Sequence, residues 1–408
     1  MKIAILSDSP MLPTGYSNQA KQLTKYLADK GHEIHWFANG YSGATLDHVK
    51  FDDGTEFNFK IYGAGAGDAY FNKTLTTLLR QIKPDRFIVL LDTFMLFPWF
   101  LNLDTAPAKT FFWFPSDGGG GLPAGCESIL RKVNCPVAMA RYGQKQVKDY
   151  YGLDVAHIPH GLDKNRFYQL PEADRLELKK KWGFQDKFVI GVVARNQPRK
   201  ALDRTIKGMK LIAEKIPNAV LFLHLDPKDV AQQAFQIPNL VKKYGLENRV
   251  IYSGMEWHKG FGWDKMNEVY NVMDMFLLTT TGEGFGIPII EAMACGVPVL
   301  ATDYTTTPEL VLEHNAGLGI NLAGVEPVEM FNFNSKDYDT RMFDGTMTGS
   351  WEVERGLCSV ADIATKTEIL YKDPELRKKM GVNGRKAVLA KYSFDVVGQQ
   401  WEDLLCQE

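Results

Sequence analysis

Along the first 160 residues, short apolar runs alternate with longer stretches in which apolar residues recur every three or four positions. The runs at 3–6, 33–38, 87–91, 110–114 and 137–140 have the length and buried character of strands. Between the first two, Ala20, Leu23 and Leu27 share one helical face, and Gly31 stops the helix. Residues 73–82 and 143–151 read as further helices. Such alternation predicts a parallel sheet with helices on both faces.

The pattern breaks at 157–167 and passes into a charged linker at 172–181. A second alternating set begins with Phe188-Val189-Ile190-Gly191-Val192-Val193 and continues through strands at 220–225, 250–253, 276–279 and 299–302. Residues 324–350, rich in Asn, Asp, Gly and Thr, read as an inserted irregular loop. Residues 375–391 are predicted helical, and a last helix runs over 396–405. A chain of 408 residues exceeds the size at which one core keeps growing, so two domains are expected, at 1–170 and 171–391.

Composition narrows the class. Hydrophobic residues at 45% and charged residues at 24% are globular values and argue against disorder or a fibrous repeat. A net charge of −2 supplies no bulk attraction to nucleic acid. Cys126, Cys135, Cys295, Cys358 and Cys406 form neither an even framework nor a CxxC pair, which speaks against a disulfide scaffold or a zinc site and fits a reducing cytoplasm. The start, Met1-Lys2-Ile3-Ala4-Ile5-Leu6-Ser7, reads as a strand rather than a signal peptide, and no stretch reaches the roughly 18 apolar residues of a membrane span.

The densest chemistry lies at Glu283-Gly284-Phe285-Gly286-Ile287-Pro288-Ile289-Ile290-Glu291. A buried strand feeds a glycine loop whose backbone can approach a ligand closely, and Pro288 suits the first turn of the helix that follows. The loop therefore points helix-start N–H groups toward an anion at the carboxyl end of a parallel strand. Extended through Ala292-Met293-Ala294-Cys295-Gly296-Val297-Pro298-Val299, the segment resembles the signature of family 4 glycosyltransferases. These are retaining enzymes of the α/β GT-B fold, two Rossmann-like domains facing each other across a cleft, with an E-x7-E motif. The stretch His157-Ile158-Pro159-His160-Gly161-Leu162-Asp163 is similar to the Ile-Pro-Asn-Gly-Val-Asp run that ends their first domain.

The resemblance assigns roles. Arg195 and Lys200 match the Arg and Lys that bind the donor diphosphate, in a Gly-Arg-(loop)-Lys-Gly pattern altered here to Ala194-Arg195 and Lys200-Ala201. Arg199 between them suits a solvated loop. Glu283 would face the sugar or reaction centre, Gly284, Phe285, Gly286 and Ile287 would hold the donor, and Glu291 would contact its ribose. Gly15, in the first strand-to-helix loop, would approach the donor phosphate. Where the family often carries a His, this chain has Pro115-Ser116-Asp117-Gly118-Gly119-Gly120-Gly121. Asp117 is therefore the candidate catalytic residue on that side, orienting the acceptor or the donor sugar, with capping of a turn as the other reading. His160 reads as structural, and His224 and Asp226 would lie near the base. The terminal segment 392–408 would pack back on the first domain.

The expected function is retaining transfer of a sugar from a nucleotide-diphosphate donor to an acceptor hydroxyl, with no cofactor and no metal. Asp337-Tyr338-Asp339 resembles a metal-holding DxD but falls in the inserted loop, where it reads as a decoy. The acceptor would be a glycan, a lipid carrier or another hydroxyl-bearing molecule. A nucleic acid acceptor stays open, as does peripheral membrane contact through Lys179-Lys180-Lys181, beside the reading of that run as a solvated linker helix. Two other readings stand: a sugar-nucleotide epimerase or hydrolase of the same fold, and a non-catalytic glycan- or nucleotide-binding protein.

Overall fold

In the computed structural model, residues 1–407 are described apart from 52–53, 66–67, 69–70, 97–98, 123–125, 230–234, 257–258 and 333–349. The DxD run of the insertion lies outside the described residues. The chain divides into two compact units, one comprising 1–161, 327–354 and 394–408, the other 162–326 and 355–393.

The first unit is built on a seven-stranded sheet in the order Lys60–Gly63, Glu33–Asn39, Lys2–Asp8, Arg86–Leu90, Lys109–Phe114, Cys135–Ala138, Ala156–His157. Every adjacent pair is parallel, with Ile3 opposite Ile34 on one side and Arg86 on the other. Counted along the chain, the order runs 3-2-1-4-5-6-7, so the direction of winding reverses between Lys2–Asp8 and Arg86–Leu90. The loops leaving those two strands diverge there and open the crevice in which such sheets bind ligands.

The helix Gly15–Asp29 starts where the sequence signals it. The Thr14 Oγ1 accepts the Ser17 N–H at 3.1 Å, satisfying one of the donors that a helix start leaves orphaned. Ala20, Leu23 and Leu27 are buried on its inner face. The helix Phe394–Leu405 belongs to this unit and completes its core. Trp401 is fully buried, its ring 5.1 Å from Trp113 and 6.5 Å from Phe111. Gly398 lets it lie against Tyr26, since a Cβ there would come within 2.7 Å of that ring.

The second unit carries a six-stranded sheet in the order Val250–Tyr252, Ala219–His224, Phe188–Val193, Met275–Leu278, Val299–Thr302, Gly317–Ile320, again all parallel. This is the 3-2-1-4-5-6 winding, with its switch point between Phe188–Val193 and Met275–Leu278. Phe188–Val193 is buried along its whole length, as a central parallel strand covered on both faces must be. The helix Leu202–Lys215 covers one face with Leu202, Ile206, Met209 and Ile212.

The structure redraws three expected features. The division between units falls at 161/162 rather than at 170/171. Residues up to 170 are tied to the second unit by the Asn267 and Asn271 side chains, which accept the Tyr168 and Leu170 N–H groups, and by Phe167 packed edge-on against Trp263 and Tyr270. The charged linker is a docked helix, Glu172–Lys181. One turn apart, Arg175 and Lys179 both reach Asp274, at 3.1 and 2.7 Å, and Lys179 also donates to the Lys187 carbonyl. Lys179 is thus buried and engaged, so the three-lysine run offers no continuous basic face. The insertion is not irregular at its ends, because Leu322–Asn332 and Ser350–Cys358 pair as a two-stranded sheet.

Candidate active site

In the second unit, the loops leaving the first and fourth strands of the sheet meet at its switch point. The loop after Phe188–Val193 ends in a single 3-10 turn, Pro198–Lys200, followed by Ala201 in the left-handed region at φ +44°. The loop after Met275–Leu278 begins with three threonines that fasten the two together. The Thr279 Oγ1 donates to the Lys200 and Ala201 carbonyls at 3.1 and 3.2 Å, while the Thr280 and Thr281 hydroxyls, with the Thr281 N–H at 2.6 Å, bond the Arg199 carbonyl.

This fastening delivers two cations to one carboxylate. Glu283, only 4% exposed, receives the Lys200 Nζ at 2.5 Å on Oε1 and the Arg199 Nη1 at 2.8 Å on Oε2. Burial pushes its carboxyl up, but the Arg199 and Lys200 charges beside it outweigh burial and hold it down to about 2. The ionised trio carries a net charge of +1. Arg199, expected in a solvated loop, is a full member; nothing in the spacing of 195–200 distinguishes it, because the turn that aims it is set by carbonyls bonded from the other loop. Arg195 stands in a separate ion pair, its Nε and Nη2 on Asp229 Oδ2 at 3.0 and 2.7 Å.

Beyond Glu283, the chain turns through half-buried Gly284 and buried Phe285 to Gly286, at φ +101° and ψ +53°. Only glycine adopts that geometry without strain. It caps the helix Ile287–Ala294, in which Pro288 occupies the second position and leaves no donor unsatisfied. The helix start adds positive potential beside the Lys200–Glu283–Arg199 trio. In the second turn of this helix, Glu291 accepts the hydroxyl of fully buried Tyr270 at 2.5 Å. Its own surface is half-buried, and dense packing around the carboxyl pushes it up to about 7 against the lowering effect of the Tyr270 hydrogen bond.

The two remaining histidine readings fall within one unit each. His224 is 5% exposed, edge-on to Phe261 at 4.9 Å, and burial pulls it down to about 4. His160, 1% exposed in the first unit, lies 4.3 Å from the Trp113 ring, and burial lowers it to about 3. It is a neutral core residue.

The first unit has its own polar cluster at its switch point. Gly15 is the exposed first residue of its helix. The Thr14 hydroxyl donates to Asp8 at 2.7 Å, the Asn39 amide donates to the other Asp8 oxygen at 3.0 Å, and the Tyr16 hydroxyl donates to Asp92 at 2.6 Å. Asp117 is half-buried beyond the end of the Lys109–Phe114 strand, next to buried Ser116. Among the described residues, no group of three or more His, Cys, Asp or Glu side chains is placed to hold a metal ion. No described helix is long and apolar enough to cross a membrane.

Residues 174–321 match the family of glycosyl transferases, group 1. Mannosylfructose-phosphate synthase of Agrobacterium fabrum is 34% identical over 43% of this chain and 38% of the relative. The GDP-mannose-dependent monoacylated alpha-(1-6)-phosphatidylinositol monomannoside mannosyltransferase of Corynebacterium glutamicum is 26% identical over 71% of this chain and 68% of the relative. The chain spans less than two thirds of the length of several curated relatives it matches, 38% of the synthase and 60% of a Mycolicibacterium smegmatis mannosyltransferase. Among solved structures, sucrose-phosphate synthase of Thermosynechococcus elongatus superposes with a TM-score of 0.75 at 17% identity, covering 99% of this chain and 98% of that one. Anabaena HepE in complex with UDP and glucose gives 0.73 at 17% identity, with both chains fully covered. These likenesses establish the fold, two Rossmann-like α/β units of the GT-B type.

Proposed function

We propose that this chain, which belongs to the group 1 glycosyl transferases of the family 4 type, moves a sugar from a nucleotide-diphosphate donor to an acceptor hydroxyl with retention of configuration. The observation that carries the reading is the cluster at the second switch point, where Lys200 and Arg199 flank Glu283 beside the start of the Ile287–Ala294 helix. Breaking the bond between the anomeric carbon and the diphosphate oxygen places negative charge on the leaving group and positive charge on the sugar. The net positive trio and the helix start favour the first, and the fixed Glu283 carboxylate favours the second.

Retention follows when the acceptor oxygen attacks from the face the diphosphate leaves. The acceptor's proton then passes to the departing phosphate oxygen, so the new C–O bond forms as the old one breaks and no protein base is consumed. Arg195 is held by Asp229, so its proposed bond to the diphosphate requires exchange or sharing of that partner. Glu291, with Tyr270, is the proposed ribose contact. The relatives named for mannosyl transfer and the HepE complex with UDP support a nucleotide-sugar donor, and glycan or lipid acceptors are the matching acceptor class.

The test is thermal shift and calorimetry with UDP, GDP, ADP and their sugars on wild type and Lys200→Ala. A ligand at 100 times its dissociation constant stabilises by about 2.7 kcal/mol. Wild type should respond to at least one nucleotide diphosphate, and Lys200→Ala should bind it roughly ten- to a hundred-fold more weakly, from losing a charge-assisted bond. Equal affinity in the two proteins would refute the assignment of the trio. Binding without turnover of any donor would leave a nucleotide-binding protein.

A further inference from the structure

The turn after Val299–Thr302 carries an unexplained cost. Thr305 has φ +48°, and of the five described non-glycine residues with positive φ it alone is β-branched. A branched side chain in the left-handed region is a genuine outlier, retained only where surrounding structure imposes it. The surroundings are specific. The Glu283 N–H donates to the Thr305 Oγ1 at 3.0 Å, and the adjacent Thr306 Oγ1 donates to the Phe285 carbonyl at 2.7 Å. Both threonines are buried, Thr305 at 5% exposure and Thr306 at zero. Two consecutive hydroxyls therefore grip the two ends of the Glu283–Phe285 segment, and the left-handed backbone at Thr305 accompanies that placement.

We propose that Thr305 is a positioning residue for sugar transfer, its hydroxyl fixing the Glu283 peptide so that the carboxylate stays between Lys200 and Arg199. Thr305 acts through Glu283. The trio holds Glu283 by its carboxylate, while the Thr305 hydroxyl holds it by its backbone. Losing the second leaves the ion pairs intact but lets the peptide rotate, which misdirects the amides of the glycine loop as well as the carboxylate. The proposal rests on the transferase reading, and its test keeps the two separable.

Thr305→Val retains shape and branching and removes the hydroxyl; Thr305→Ser retains the hydroxyl. In the ligand-free protein, hydrogen exchange at the Glu283 amide should accelerate roughly five- to ten-fold in Thr305→Val, the factor corresponding to one ordinary hydrogen bond, and stay near wild type in Thr305→Ser. With donor and acceptor, Thr305→Val should lose kcat by a similar factor with a smaller change in donor KM, and Thr305→Ser should restore it. A merely structural role would make both variants follow their melting temperatures instead. Wild-type exchange at Glu283 in Thr305→Val, or a kcat in Thr305→Ser as low as in Thr305→Val, overturns the proposal. If wild type moves no sugar, the transferase reading fails on its own, and the exchange measurement still decides whether Thr305 holds Glu283.

Discussion

Replacing Glu291 with Gln should make the second unit more stable at alkaline pH and leave it nearly unchanged well below pH 4.5. The carboxyl sits at about 7 in the folded chain against 4.5 as an ordinary glutamate, so folding favours its protonated form. Below pH 4.5 both states hold the proton and the group contributes no pH dependence. Between 4.5 and 7 the unfolded chain ionises while the folded chain does not, and stability falls by about 1.4 kcal/mol per pH unit. Above 7 both states are ionised and the accumulated loss levels off, at about 3 kcal/mol. Glutamine is isosteric with the protonated acid, keeps an acceptor for the Tyr270 hydroxyl and cannot ionise. Urea unfolding of both proteins at half-unit steps from pH 5 to 8.5 gives a difference curve in which the other carboxylates cancel. It should start a little below about 1 kcal/mol and rise toward about 3 kcal/mol in favour of Gln. A flat difference, or a less stable variant at pH 8, would refute the claim that packing holds this carboxyl neutral. The same substitution should weaken donor binding if Glu291 meets the ribose, a loss independent of the stability gain.

Glu283→Gln should lower transfer on the order of 10²-fold, the scale of losing one preorganised electrostatic partner. Its pH signature is the reverse of that of Glu291. The native carboxyl lies near 2, so its stabilisation, about 3 kcal/mol, is present above pH 4.5 and lost as pH falls toward 2; calorimetric melting should show a variant deficit at pH 7 that shrinks in acid. Asp117→Asn should impair transfer to the acceptor more than slow hydrolysis of the donor, whereas Glu283→Gln should depress both, and equal losses in the Asp117 variant would remove its acceptor role.

Most of the frame was legible because parallel strands buried on both faces write themselves as unbroken apolar runs. Phe188-Val189-Ile190-Gly191-Val192-Val193 and Thr110 to Phe114 could be read directly. Strands with little apolar content were missed. Lys60–Gly63 and Gly317–Ile320 are short edge or near-edge segments whose hydrogen bonds come from neighbours distant in sequence. The glycine loop around Glu283 was visible from its own residues, and the structure sets it at the switch point. Arg199, Thr280, Thr281 and Thr305 are not visible, because each acts through a carboxylate, carbonyl or amide on another loop and carries no periodicity. The partners of Lys179 and Arg195 were hidden for the same reason. The lysine run looks solvated and Arg195 looks committed to a donor until Asp274 and Asp229 arrive from about 95 and 34 residues away.

The helix Phe394–Leu405, which seals the first unit by burying Trp401 against Trp113, gives synthesis an inverted timetable. Residues 162–326 and 355–393 leave the ribosome before that helix does, so the second unit has its whole chain while the first still lacks part of its core. During that interval the face of the Lys109–Phe114 strand that Trp401 covers stays wet. The nascent chain is therefore open to aggregation and to chaperone capture at its first unit, and the helix Phe394–Leu405 is the latch that ends the interval.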